Sequence, residues 1–338
     1  MTEAKFYTKL EGNLTVCRLC RQSCLIKPGR LGLCRVRKNI GGELFSLAYG
    51  YPAALNVDPI EKKPLFHFQP GSLSYSIGTP GCNFRCANCQ NWNLSQAIPP
   101  TPFIKGEDFV EPEKIVSDAL SNDCSSISYT YNEPTVFAEY ALDIMKLARE
   151  AGLKNVWVTN GYMGEQCLKE IISTLDAANV DLKSMDQDFY LKNCGAKLRP
   201  ILENLKTLKR AGVHLEITTL IIPGLSDDNE MIKSLAEFIA NELGGDTPWH
   251  LSKFSPDVSW KLKKTPPTSE EKIFEACDIG KNAGLKYVYA GNLPGDEREN
   301  TYCPACGELA VSRFGYEIER LDRRGRCARC DKNLDIFK

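Results

Sequence analysis

No stretch of the 338-residue sequence stays apolar for the ~20 residues that a bilayer-spanning helix needs, which excludes such a helix. Residues 1–14 are polar and lack the apolar core of a signal peptide, so the chain is expected to remain in the cytosol. Net charge is nearly absent as well: 42 Lys and Arg face 43 Asp and Glu, and the isoelectric point is about 6.4. That balance disfavours nucleic-acid binding as the main role, although one segment departs from it. Between Cys17 and Lys38 there is no acidic residue, whereas Arg18, Arg21, Lys27, Arg30, Arg35, Arg37 and Lys38 are basic. The arm reads either as a solvated face or as a docking surface for a polyanion or an acidic partner. Low-complexity tails and internal repeats are also missing, and 43% hydrophobic with 25% charged residues is the composition of a globular protein.

Cysteine, by contrast, is abundant. Fifteen cysteines in a reducing compartment, and an odd number of them, do not describe a disulfide framework; ligation of metal or iron–sulfur groups is the better expectation. Eleven fall into three groups at ligand spacing: Cys17, Cys20, Cys24 and Cys34; Cys82, Cys86 and Cys89; and Cys303, Cys306, Cys327 and Cys330. Cys124, Cys167 and Cys277 stand alone on apolar or helical stretches and read as packing residues. Cys194 follows a strand end and could reach a site there, as a hydrogen donor or merely as another buried thiol. His67 and His250 read as structural histidines before substrate contacts.

From residue 71 onward, short β-type runs alternate with helical stretches. Runs at 73–77, 127–131, 155–158, 178–182, 213–222, 249–254 and 287–289 predict strands. Helices are predicted over 136–151, where Phe137, Ala141, Ile144, Met145 and Ala148 share a face, over 228–243, and from Ser269 to Gly284. Such alternation implies a parallel sheet, here an α/β fold with a partial TIM-type (β/α)6 barrel, whose chemistry lies at the C-terminal strand ends. The expected layout is a Cys-rich segment 1–40, a connecting β segment 41–70, the barrel 71–298 and a zinc-ribbon-like segment 299–338. In the run at 213–222, His214, Glu216 and Thr218 share one face, and burying all three demands partners or a polar ligand.

Cys82-x3-Cys86-x2-Cys89 lies directly after the first predicted barrel strand. Three thiolates on one tight loop can bind three irons of a cubane and leave the fourth iron open to a substrate. The alternatives are a zinc site short of one ligand and three buried thiols. Cys303-x2-Cys306 and Cys327-x2-Cys330 form two knuckles suited to a closed tetrahedral Zn²⁺ that would help a small appendage to fold. Cys17, Cys20, Cys24 and Cys34 are less regular, and zinc or an auxiliary 4Fe–4S cluster both fit.

The central motif resembles the radical S-adenosylmethionine (SAM) superfamily. In that family the open iron chelates SAM, and the reduced cluster cleaves it to a 5′-deoxyadenosyl radical that abstracts hydrogen from a substrate. Asn88 stands in the slot that usually holds an aromatic residue, so aromatic shielding is expected from Phe84 or Trp92. The resemblance further implies SAM contacts from Asn132 and Glu133 in Tyr131-Asn132-Glu133-Pro134, from Thr159 and Asn160, from Asp181 and Lys183, and from Ile222 in Ile222-Pro223-Gly224; Thr218 is added from its strand face. Asp58-Pro59-Ile60-Glu61-Lys62-Lys63-Pro64-Leu65-Phe66-His67-Phe68 and Tyr289-Ala290-Gly291-Asn292 resemble the radical SAM member of the AmmeMemoRadiSam set, relatives of pyruvate formate-lyase activases. Relatives carry His where this chain has Ser255.

The implied activity is a radical enzyme of oxidoreductase or transferase type acting on an organic substrate. Its implied partners are a low-potential donor such as ferredoxin or flavodoxin and the two small proteins of that set. Activation of a partner protein by a glycyl radical, modification of RNA presented by the basic arm, and a zinc-dependent nucleic-acid module are the other readings.

Overall fold

Period-two alternation along eight strands decides the architecture. The computed structural model describes residues 1–97 and 108–337. Its main sheet contains β1 (Ala54–Pro59), β2 (Leu73–Gly78), β3 (Ser126–Tyr129), β4 (Lys154–Thr159), β5 (Ala177–Asp181), β6 (His214–Ile221), β7 (Trp249–Lys253) and β8 (Val288–Gly291). The strands lie side by side in chain order; β2 to β8 are parallel, and β1 pairs antiparallel with β2. No pairing joins β8 to β1 among the described residues, so the barrel is partial.

Six helices make the crossovers: α1 (Pro112–Ser121), α2 (Ala138–Glu150), α3 (Glu165–Ile172), α4 (Arg199–Arg210), α5 (Asn229–Phe238) and α6 (Glu270–Asn282). Their starts follow local chemistry. Pro112 opens α1 where its missing N–H costs nothing, Asp228 accepts from Met231 N at 3.0 Å, and Ser269 accepts from Lys272 N at 3.2 Å. The helix expected over 228–243 ends its α-helical part at Phe238 and continues as a π-type turn, Ile239–Leu243.

One face of the sheet carries Tyr129, Trp157, Val180, Ile217, Trp249 and Ala290, all buried in the main core with the helices. Each large side chain so buried stabilises the fold by roughly 1.5–3 kcal/mol. The register places Ser76, Ser128, Asn179, Glu216, His250 and Tyr289 on the other face, toward the barrel interior.

The N-terminal strand ends are closed by the chain itself. From Pro59 the segment 60–68 crosses beneath the sheet, and Asn179 Nδ2 donates to Pro64 O at 2.7 Å. Glu216 accepts from Phe66 N (3.0 Å), His67 N (2.8 Å), His214 Nε2 (2.9 Å) and His250 Nε2 (2.7 Å). Burial alone would raise the Glu216 pKa, but those histidine bonds outweigh it and hold the carboxyl well below its ordinary value. The polar face of β6 is therefore satisfied by protein at two of its three positions, where the sequence suggested a polar ligand. Only Thr218, nearer the C-terminal end, keeps a buried hydroxyl with no partner among the described residues.

The C-terminal unit, with strands Thr301–Tyr302, Leu309–Phe314 and Glu317–Arg320, docks on that same closed end. Arg313 donates to Phe66 O (2.8 Å), His67 Nδ1 meets Leu334 O (3.1 Å), and the Phe68 and Phe337 rings stack at 4.9 Å. The N-terminal arm sits at the opposite end. Its strands Tyr7–Leu10, Leu14–Cys17 and Leu25–Ile26 form one small sheet, and Thr2–Glu3, Arg37–Ile40 and Glu43–Ser46 another. Arg21 N donates to Tyr162 O (3.1 Å) and Gly164 N to Leu19 O (2.9 Å), which fastens the arm to the loop after β4.

Candidate active site

The loop of Cys82, Cys86 and Cys89 leaves the C-terminal end of β2 and is gripped from several sides. Asn132 Nδ2 donates to Gly81 O at 2.6 Å while its Oδ1 accepts from Thr79 N at 3.3 Å, and Asn91 Nδ2 donates to Tyr131 O at 2.7 Å. Behind the loop, Arg85 N and Ala87 N donate to Cys194 O and Asn193 O, each at 2.9 Å, and Lys261 N donates to Ala87 O at 2.8 Å. Gly81 is required here: its φ is +94°, and a Cβ would lie 2.5 Å from the carbonyl of Cys34.

All three thiols are half-buried. Phe84 N donates to Cys82 Sγ at 3.4 Å, Cys89 Sγ lies 3.3 Å from Ser95 Oγ, and Cys86 is hydrogen-bonded to Cys194. Burial, with Glu133 nearby, pushes the Cys82 thiol well up, and burial likewise raises Cys89. Cys86 is raised first by its bond to Cys194, and the same bond lowers Cys194. The expectation that Cys194 reaches this region is met: it is fully buried directly against the Cys86 thiol.

The other site residues fall into two sets. Glu133, only 1% exposed, accepts from Thr135 N (3.1 Å), Thr159 Oγ1 (2.7 Å) and Asn160 N (2.8 Å), so it ties the ends of β3 and β4 together. Burial raises its pKa, and these donors offset part of the rise. Asn160 Nδ2 donates to Asn83 Oδ1 at 2.8 Å, which couples this set to the residue after Cys82. In the second set, Asp181 and Lys183 pair at 2.7 Å. Burial would lower the lysine, but the charges of Asp181, Cys86 and Cys194 hold it well above its ordinary value. Thr218 is the register partner of Asp181. Ile222 is buried and begins a turn in which its N–H donates to Ser226 Oγ at 2.9 Å.

Several contributors escaped sequence reasoning. Lys63, inside the barrel, donates to Asp58 at 2.6 Å, and Tyr131 O–H donates to the same carboxylate at 2.5 Å. Burial lowers Lys63 to about 8, against the opposing pull of Asp58. The motif around Asp58 contained the signal, but no local spacing ties it to Tyr131. Of the two expected shields, Phe84 is buried with its ring 5.3 Å from that of Tyr162, whereas Trp92 is 43% exposed. Asn88 accepts from Asn193 Nδ2 at 2.8 Å and so serves the loop's backing.

The two four-cysteine sets differ. Cys303 and Cys330 Sγ lie 3.6 Å apart, as do Cys306 and Cys327, and all four gather within 4.8 Å. Tetrahedral Zn–S bonds of about 2.3 Å place sulfurs about 3.8 Å apart, so this set fits one closed ion. Among the described residues no other group of three or more ligand atoms closes so tightly. Cys82, Cys86 and Cys89 are therefore more widely spread, as an iron–sulfide core requires, and the backbone donor on Cys82 suits a cluster thiolate.

The sequence profile of the radical SAM superfamily matches residues 76–239, from β2 through α5. The chain is 45% identical over 99% of its length to the uncharacterized protein MJ0808 of Methanocaldococcus jannaschii, covering 99% of that protein. It is 29% identical to the pyruvate formate-lyase-activating enzyme of Clostridium pasteurianum, across 57% of this chain and 83% of that one. This chain carries a radical SAM superfamily domain. It is an enzyme, related to pyruvate formate-lyase-activating enzymes, and the radical SAM family implies an iron–sulfur cluster and SAM. The fold agrees: Streptococcus suis SuiB bound to precursor peptide SuiA superposes with a TM-score of 0.50 at 13% identity, over 64% of this chain and 48% of that one. No helix among the described residues is long and apolar enough to cross a membrane.

Proposed function

We propose that Cys82, Cys86 and Cys89 hold a 4Fe–4S cluster with one open iron, and that the enzyme uses it with SAM for radical chemistry on an organic substrate. The observation that carries this reading is the three-thiol loop at the C-terminal ends of parallel strands, backed by a polar interior in which Thr218 Oγ1 and Asn179 Oδ1 have no partner among the described residues. When bound, the cluster and SAM supply reductive carbon–sulfur cleavage and a 5′-deoxyadenosyl radical. Asn132 fixes the entry to the loop, and Glu133 holds Thr159 and Asn160 in place beside Asn83. Asp181, Lys183 and Thr218 would take the polar parts of SAM, and Ile222 an apolar part. The closed lower end leaves the upper mouth as the way in for substrate. Anaerobic reconstitution with a strong reductant should release 5′-deoxyadenosine from SAM; wild-type protein that forms none while carrying its full iron complement contradicts the reading.

A second reading, activation of a partner protein through a glycyl radical, is favoured by the similarity to the Clostridium pasteurianum activating enzyme. A glycine-centred EPR doublet in a protein incubated with the enzyme and SAM supports it, and a small-molecule product formed without such a doublet counts against it. Ferredoxin or flavodoxin would supply the electron, and the AmmeMemoRadiSam proteins remain the proposed companions. The C-terminal knuckles are proposed to hold structural zinc, a strand's length of about 17 Å or more from the chemistry.

A further inference from the structure

We propose that Cys17, Cys20, Cys24 and Cys34 hold an iron–sulfur cluster, not a zinc ion, through which the electron enters the cysteine loop. The electron route rests on the proposed barrel cluster; the identity of the N-terminal group does not.

Three observations carry it. The four thiols line one pocket together with Arg37 and Asn83. Unlike the C-terminal set, no three of these sulfurs close to within 4.8 Å of one another, although two of the four thiols are buried and all four face the same space. A single tetrahedral ion draws its sulfurs together, as the C-terminal group does; a cluster keeps them apart around its irons and sulfides.

The backbone differs too. In the C-terminal set each knuckle makes the same pair of bonds: Cys303 N to Glu308 O with Gly307 N to Cys303 O, and Cys327 N to Lys332 O with Asp331 N to Cys327 O. Cys17 and Cys20 make neither: Cys17 N donates to Cys24 O across the small sheet, and Cys20 O accepts from Ser23 N.

Third, the pocket wall carries donors without acceptors. Arg37 is 1% exposed, and its two Nη groups are spent on Glu139 and Val136 O, yet its Nε has no partner among the described residues. Asn83, also 1% exposed, has an equally orphaned Nδ2. Buried donors are normally satisfied, and two around one thiol-lined space call for an anionic acceptor such as thiolate or sulfide.

Position gives the role. Asn83 follows Cys82 directly, its carbonyl accepts from Gln22 Nε2 at 3.0 Å, and the carbonyl of Cys34 rests on Gly81. One residue thus walls both sites, which places two clusters at electron-transfer distance. In the step, one electron leaves the reduced N-terminal cluster and enters the oxidised barrel cluster; no bond or proton is exchanged. An external low-potential one-electron donor reloads the first cluster. Four protein ligands leave no open iron there, so the group relays electrons and does not bind substrate.

The test uses the full chain, purified and reconstituted anaerobically, beside a Cys82→Ala/Cys86→Ala/Cys89→Ala variant. That variant should retain about four iron and four sulfide if a cubane fills the arm, or about two of each for the smaller cluster, with a reduced EPR signal that SAM does not perturb. A variant with zinc in the arm and no iron overturns the proposal, while a SAM-responsive cluster in the wild type would leave the proposed function standing. Wild-type protein that binds no iron at all defeats both.

For the route, rapid-freeze EPR of the wild type with reduced flavodoxin should show the SAM-insensitive signal before the SAM-sensitive one. In a Cys20→Ser/Cys24→Ser variant, reduction by flavodoxin should slow by an order of magnitude while reduction by a small viologen is kept. Simultaneous reduction in the wild type, or an unchanged flavodoxin rate in the variant, overturns the relay.

Discussion

At the scale of single residues, a thiol's neighbours separate ligand from support. Cys86 lies on the loop with Cys82 and Cys89, whereas Cys194 reaches it from the stretch after β5 and hydrogen-bonds to Cys86. Cys86→Ala should therefore abolish the SAM-responsive EPR signal. Cys194→Ala should keep that signal but release its iron to a chelator about tenfold faster, as loss of a group supporting a ligand does. Loss of the signal in both variants would make Cys194 a fourth ligand and remove the open iron.

His67 supplies a pH prediction of its own. Burial lowers its pKa from 6.5 to about 3, so between those values the unfolded chain binds the proton and the folded chain does not. Stability is then complete above pH 6.5 and falls as the pH drops, by up to about 1.4 kcal/mol per pH unit. Across pH 4.5–5.5, His67→Gln should unfold with a slope smaller by close to one proton; parallel slopes refute the assignment. The loop of Cys82, Cys86 and Cys89 was legible in the sequence because its spacing is local. Asn83 with Gln22, and Tyr131 with Asp58, were not, since residues 61 and 73 positions apart leave no periodic trace.

At the scale of elements, the arm is locked to α2 by one buried ion pair. Arg37 and Glu139 are 1% and 2% exposed at their side chains and bond through both Nη groups. Arg37→Met strands the carboxylate and should cost about 3–5 kcal/mol, most of it recovered in Arg37→Met/Glu139→Leu. Urea unfolding of the three proteins checks this, and additive losses would show that the pair is not coupled. The seven parallel strands and three of the six crossover helices were readable because burial imposes periods of two and 3.6 on consecutive residues; α1, α3 and α4 were not read. The polar face of β6 misled for the opposite reason: the partners of Glu216 come from segment 60–68 and from β7, and distant donors look like missing ones until the chain is folded.

At the scale of the whole molecule, the two cysteine-rich ends serve opposite ends of the barrel. The N-terminal arm joins the end that carries the cysteine loop, while the C-terminal unit has a small core of its own and docks beneath segment 60–68. Removing the zinc proposed for the C-terminal knuckles should expose residues 299–337 to proteolysis and leave SAM cleavage by the remaining barrel within about threefold, because a metal bound there would supply folding energy. Loss of cleavage at the same rate as proteolysis would tie that unit to the reaction. Composition separated these ends as cysteine groups, but only the three-dimensional placement distinguishes the one beside the chemistry from the one remote from it.

The open iron is the centre of the account, and EPR-detected hyperfine spectroscopy of the reduced enzyme with SAM labelled by ¹⁵N at its amino group and ¹⁷O at its carboxylate tests it most directly. Coupling of both labels to the cluster, absent in Cys82→Ala, is the predicted result. A reduced cluster whose spectrum ignores both labels at saturating SAM would contradict it.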